Sequence, residues 1–287
     1  MSSAGGAPGP DLRRVARRTL PLRVEAVRQA KRRRTAFALG FLVVLPLILV
    51  GAFALAGPSD AQPGQTDLVD LATSGAVNFT IFTIFASAGF LLVVIVALFC
   101  GDTVASEASW SSLRYLLAAP VPRGRLLRQK LLVALGYSGL ALVLLPGVAL
   151  LVGRLAYGWH PVHTPLGDTY SAGEGLARVA LVIGYLAVWM LVVGTLAFWL
   201  STVTDAPLGA VGGAVGLVIV SNILDAITAL GSLREVLPTH YQFAWTDALT
   251  IPVQYDAMLK GMAGALAYAA VFLVLAWRHF ATKDIVS

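Results

Sequence analysis

Few side chains in this chain are spaced to do chemistry on a small molecule. His160 and His163 share a short polar stretch with Asp168 and Glu174. Imidazole and carboxylate are zinc donors, so a metal site is one reading of that stretch. A solvated loop is the commoner one. The chain has no GxxxxGK(S/T) run, no HExxH, no GxSxG and no CxxC. It therefore lacks the backbone that cradles nucleotide phosphates, the paired histidines of a zinc hydrolase and the nucleophile elbow of a serine hydrolase. The lone Cys100 cannot form an internal disulfide and is read as a packing residue. No catalytic residue, cofactor or metal ligand is assigned, and the chain is read as not an enzyme.

The segment with the most organised side-chain chemistry is residues 102–130, DTVASEASWSSLRYLLAAPVPRGRLLRQK. Trp110, Leu113, Leu116 and Leu117 share one face at helical spacing, and Arg114 and the serines lie on others. Pro120 and Pro122 stop that helix, because proline cannot donate to the preceding turn. Arg123, Arg125, Arg128 and Lys130 follow. Such a helix either lies on lipid and sets topology, or docks on a partner. For docking, Leu117 and Tyr115 are the candidate anchors, and Glu107 and Arg114 the candidate charge partners.

The elements that carry this segment are written in the charge pattern. Of 287 residues, 57% are hydrophobic and 13% charged, about half the charge of a soluble domain; the mean hydropathy is +0.79. Six stretches lack Asp, Glu, Lys and Arg: 35–59, 71–101, 131–153, 179–204, 206–224 and 261–277. A helix needs about 20 residues to cross a hydrocarbon core of about 30 Å. Backbone groups in lipid must be satisfied internally, and ten-residue alternating segments are absent, so helices are expected rather than a barrel. The expected fold is an all-α polytopic membrane protein with six spans. If both termini are cytoplasmic, the inner pieces hold 17 Lys and Arg against four outside, as topology by positive charge requires. Nucleic-acid binding would need a basic folded domain, and none is available.

Residues 1–10 read as a disordered tail. Residues 11–34 read as a basic amphipathic helix on the inner leaflet, with Leu20, Val24 and Val27 at helical spacing. Residues 35–287 form the six-span domain. Ala54-Leu55-Ala56 resembles a cleavage site, but the preceding apolar run is too long for a signal peptide. Pro46 and Pro146 lie within spans, where they can kink a helix. Asp205 is expected to cap the fifth span, and Pro207 to open it. Gly209, Gly212, Gly213 and Gly216 have the GxxxG spacing of a helix-packing face. The outer loop 225–260 is expected to fold as two short helices broken at Pro238-Thr239-His240, with Tyr241, Trp245 and Tyr255 at headgroup depth. Apart from Asp225 no ionisable residue enters a span, which counts against an ion-coupled transporter.

Glu107, Leu113 to Leu117, Ala119-Pro120-Val121-Pro122-Arg123 and Leu127 to Lys130 together resemble the segment between the second and third spans of permease subunits of type-2 ABC transporters. The Leu237-Pro238-Thr239-His240-Tyr241 and Trp245 run and the ending from Phe280 to Ile285 are similar to the same family. Trp110-Ser111-Ser112 departs from it, since the family often has Gly there. The resemblance implies a membrane-spanning permease, an exporter subunit in a bacterial plasma membrane. It implies two copies of a separate ATP-binding subunit, a second permease subunit in a homo- or heterodimer, and a coupling helix in loop 102–130. The alternatives are a secondary transporter or channel not driven by ATP, and a membrane enzyme or scaffold acting on lipids.

The charge asymmetry makes a topology prediction. Cysteines placed at Ser59 and Thr169 should react with an impermeant thiol reagent in intact cells, and one at Ser109 should not. Labelling at Ser109 in sealed cells would reverse the orientation.

Overall fold

The computed structural model describes residues 22–56, 68–109, 123–164 and 167–282. Among them are nine α-helices, a two-stranded hairpin and two 3-10 helices. In chain order the helices are α1 (Leu22–Ala30), α2 (Arg33–Ala56), α3 (Leu68–Thr73), α4 (Ala76–Ala88), α5 (Leu91–Ser109), α6 (Arg123–Tyr157), α7 (Ala172–Val203), α8 (Pro207–Ala226) and α9 (Asp256–Thr282). The hairpin pairs β1 (Val162–His163) with β2 (Thr169–Tyr170) between α6 and α7. The 3-10 helices Thr228–Val236 and Ala244–Leu249 lie between α8 and α9. The expected tail 1–10, the basic segment as far as residue 21, and Trp110, Leu113, Arg114, Tyr115, Leu117, Pro120 and Pro122 lie outside the described residues.

Five helices are long and apolar enough to cross a membrane alone; α4 and α5 make a sixth if they count as one broken span. The charge-free stretch 71–101 suggests one straight helix, yet the structure bends it by 58° between Ala88 and Leu91. Gly89 lies at the bend with helical φ and ψ, and its lack of a side chain lets the loop between α8 and α9 approach closely. The Gly89 carbonyl accepts a hydrogen bond from Gln242 Nε2 at 3.3 Å, so a backbone group freed from the ladder is satisfied by the loop between α8 and α9. A side chain at position 89 would crowd the Phe243 ring. The Pro46 and Pro146 positions both lie inside continuous helices.

Helix α7 is the centre of the bundle, packed against α5, α8 and α9, while α6 sits against α2, α4 and α5. Its buried side chains include Tyr185, Trp189 and Phe198. Helix α2 stands at the edge and meets mainly α6. Lipid offers no hydrophobic drive between helices, so close approach depends on small residues. Gly101 of α5 supplies it toward α8: a Cβ there would lie 3.0 Å from Val211 Cγ2. The buried stripe of α8 is Ala210, Ala214, Val218 and Ser221. Its cap also differs from expectation. Ala206 is the N-cap residue, with no side-chain bond, and Thr204 Oγ1 accepts from Ala206 N–H at 3.1 Å. Pro207 opens the helix.

Gly261 of α9 makes a tight contact below the loop between α8 and α9. A Cβ there would run into the Tyr185 hydroxyl and lie 2.7 Å from Tyr241 Cβ. Gly261→Ala is expected to cost about 1–3 kcal/mol, as overpacking does, and to lower the thermal unfolding temperature in detergent. Gly264→Ala, with nothing within 4 Å of the added atom, is the matched control. Equal unfolding temperatures would contradict this packing.

Candidate functional site

The last two turns of α5 leave the apolar band carrying Asp102, Thr103, Ser106 and Glu107. Spacings of one, four and five place them on adjoining faces of the helix. Helix α6 returns with Lys130 two turns in. Helix α1 adds Glu25 and Arg28, and the turn into α2 adds Arg32 and Arg34. These residues meet in one polar junction. Lys130 Nζ lies 2.6 Å from Glu107 and 3.2 Å from Glu25, and donates to the Thr103 carbonyl at 3.4 Å. Arg28 lies 3.1 Å from Glu25 and 3.5 Å from Glu107. Asp102 accepts from Arg32 at 2.5 Å and from Arg34 at 2.7 Å. Tyr137 of α6 donates to the Ala26 carbonyl at 2.8 Å, a second tie between α6 and α1.

Burial makes these charges interdependent. The Lys130 side chain is 2% exposed and that of Glu107 3%. An uncompensated charge at such depth costs several kcal/mol, so each holds the other in place. Burial pushes the Glu25 carboxyl up, but the charge and hydrogen bond of Lys130, with Arg28 and Arg32, outweigh it and hold it below its ordinary value. A depressed carboxylate contributes stability above the ordinary range and loses it as pH falls through the depressed value. The attachment of α1 is thus intact at neutral pH and weakens in acid.

The junction stands at both roots of residues 110–122. Glu107 precedes that segment and Lys130 follows it, and their contact joins the two ends. Arg123 begins α6. Glu107 is turned inward, onto Lys130 and Arg28. Of the four glycines read as a packing face, Gly213 lies 3.2 Å from Leu200 through an added Cβ. Gly209 borders its own turn at Thr204 and Ala206, and Gly212 and Gly216 meet nothing within 4 Å in this chain. Asp102 and Glu25 were not singled out from the sequence, and Lys130 entered only as the end of a basic run and of a resemblance patch. Their signal was faint: a lone glutamate inside a run of arginines, and two carboxylates at the end of an apolar span.

The opposite end carries a second polar anchor. Buried Arg178 of α7 donates to the carbonyls of Thr250 at 2.7 Å and Ala248 at 3.3 Å, pairs with Glu174 at 2.7 Å, and lies 4.4 Å from the Tyr170 ring centre. Tyr185 donates to the Tyr241 carbonyl at 2.5 Å and Trp189 to that of Pro238 at 3.1 Å. Ser221 bonds Thr239 at 2.7 Å, and Asp225 bonds His240 at 2.6 Å. The loop is a folded cap seated on α7. Trp245 is fully buried within the protein, edge-on to Phe85 at 6.2 Å. Among the described residues no group of three His, Cys, Asp or Glu could hold a metal. His163 serves the hairpin: its backbone exchanges two hydrogen bonds with the Asn78 side chain.

The family model described as ABC-2 family transporter protein matches residues 29–285. The chain belongs to that family, and is a multi-pass permease of the ABC transporter class. No curated protein aligns with it.

Lys130→Met leaves Glu107 buried without its ammonium. The expected cost is about 3–5 kcal/mol, seen as a lower unfolding temperature of the purified chain. Adding Glu107→Met removes the orphaned charge and should restore most of the loss. A single variant as stable as the parent would show that the pair does not hold the junction.

Proposed function

We propose that this ABC-2 family member is the permease of an ATP-driven exporter in a plasma membrane, with both termini cytoplasmic. Two copies of a separate ATP-binding subunit act on it through residues 107–123, and a second permease subunit completes the pore. The observation that carries this reading is the Glu107–Lys130 contact at 2.6 Å. A segment that transmits force needs roots that do not slide past each other, and a buried ion pair across the roots supplies that stiffness.

The glycine face belongs to the same proposal. Gly213 packs within the chain, and Gly212 and Gly216 are open to a helix of the second permease subunit. Motion is passed on by rigid helices between bistable contacts. A push on 110–122 moves α5 and α6 together, because Glu107 and Lys130 tie them. At the far end of α5, the bend at Gly89 meets the outer cap through Gln242. Closure of the ATP-binding subunits on one side of the membrane is thus coupled to the cap on the other. Trp110, Leu113, Tyr115 and Leu117 make the apolar contact, Arg114 the charged one, and Pro120 and Pro122 set the direction into Arg123. Glu107, facing Lys130, seats the segment.

The purified chain should hydrolyse no ATP alone and should do so with its co-purified subunit. Losing an interface anchor costs about 2 kcal/mol or more, roughly a thirtyfold loss of affinity. Arg114→Glu and Leu117→Ala should therefore insert normally and lose either the ATP-binding subunit or its stimulation by substrate. Both variants binding and stimulating like the parent would remove the coupling role.

A further inference from the structure

Beside the polar junction lies a cavity of about 780 Å³ lined by Arg28, Arg32, Arg33, Arg34, Asp102, Ser106 and Glu107, with Ala206, Pro207 and Leu208 on the far wall. Arginines from the end of α1 and the start of α2 reach it together because the turn at Lys31 and Arg32 folds one helix onto the other. The junction and cavity hold five cations, Arg28, Arg32, Arg33, Arg34 and Lys130, against three carboxylates, Glu25, Asp102 and Glu107. The surplus is positive. Asp102 engages Arg32 and Arg34, and Glu25 and Glu107 engage Arg28 and Lys130. Arg33 enters none of these ion pairs and is exposed.

The position of the cavity says which anion suits it. Arg33 opens the apolar span α2, and Leu208, 79% exposed, opens the apolar span α8. The cavity is therefore at the depth where hydrocarbon gives way to headgroups. Arg33 also heads an exposed stripe. Phe37, 77% exposed, is four residues on, and Phe41, Val44 and Ile48 continue the same face, all exposed. At 1.5 Å per residue the stripe runs about 22 Å, longer than one leaflet's half of an about 30 Å core. A guanidinium at headgroup depth above an apolar track matches a phosphate with acyl chains attached. Guanidinium groups bind phosphate by paired hydrogen bonds, and basic pockets between spans suit anionic headgroups.

We infer that this cavity binds the headgroup phosphate of an anionic phospholipid, held by Arg33 with its chains along Phe37 and Phe41. The inference is independent of the coupling role of 110–122. It assigns a lipid to the join between α1 and α2, next to the junction.

The test is native mass spectrometry of the purified full chain with phosphatidylglycerol or phosphatidylcholine of identical acyl chains. The parent should retain phosphatidylglycerol preferentially. A basic residue near a lipid surface contributes about 1 kcal/mol, close to a fivefold change. Arg33→Gln should reduce the preference about fivefold, and Arg33→Lys should keep most of it. Lys260→Gln, at the start of α9 beside the outer cap, should leave it unchanged. Equal retention of the two lipids by the parent would overturn the site, as would an unchanged preference in Arg33→Gln. Displacement of the bound lipid by excess glycerol phosphate would show a site for soluble phosphate and overturn the lipid assignment.

Discussion

A lysine ammonium sealed among helices at the edge of an apolar band persists only where carboxylates meet it. Lys130 is such a group, and its contacts with Glu107 and Glu25 join three elements far apart in the chain. Helix α1 cannot leave without taking Glu25 from Lys130 and Arg28 from Glu107. The roots of 110–122 cannot part without stranding Glu107. The desolvation of these charges is why the arrangement is exacting. A buried pair adds little against an apolar substitute, yet losing one partner is severe. The junction therefore fixes a geometry more than it adds stability.

The same physics recurs at the opposite end of the bundle in another form. Arg178 satisfies carbonyls of the cap that lack regular ladder partners, and Tyr185 and Trp189 do the same from the same helix. Irregular backbone at this depth is tolerated where protein groups supply the missing bonds. The bend at Gly89 follows that rule through Gln242. Between the two polar ends the bundle is apolar and held by small-residue contacts, so the polar nodes are where its helices are registered to one another.

The spans were legible because a charge in lipid is costly and leaves a gap in the charge pattern. The family patches around Glu107 and Pro238 were legible as strings of residues. The break in the second span was not, because Gly89 is common in membrane helices and its partner Gln242 is 153 residues away. The packing partner of Trp245 was not legible, because a tryptophan near an apolar edge suits either an interface or a core, and Phe85 meets its ring. Asp205 failed as a cap because Ala206 and Pro207 begin the helix one residue later. The glycine spacing of α8 marked a small-residue face, but spacing does not say which helix meets it. Glu107 looked like a surface charge because its ammonium lies 23 positions on, across the segment it precedes.

The central claim is that residues 110–122 touch an ATP-binding subunit. It is tested most directly by a photoreactive phenylalanine analogue placed at Tyr115 and illuminated in intact cells. The account predicts a crosslinked species with the mass of this chain plus one ATP-binding subunit. It also predicts that the same analogue at Phe37, on the lipid-facing stripe, gives no such species. Crosslinking at Tyr115 to lipid alone would contradict the account.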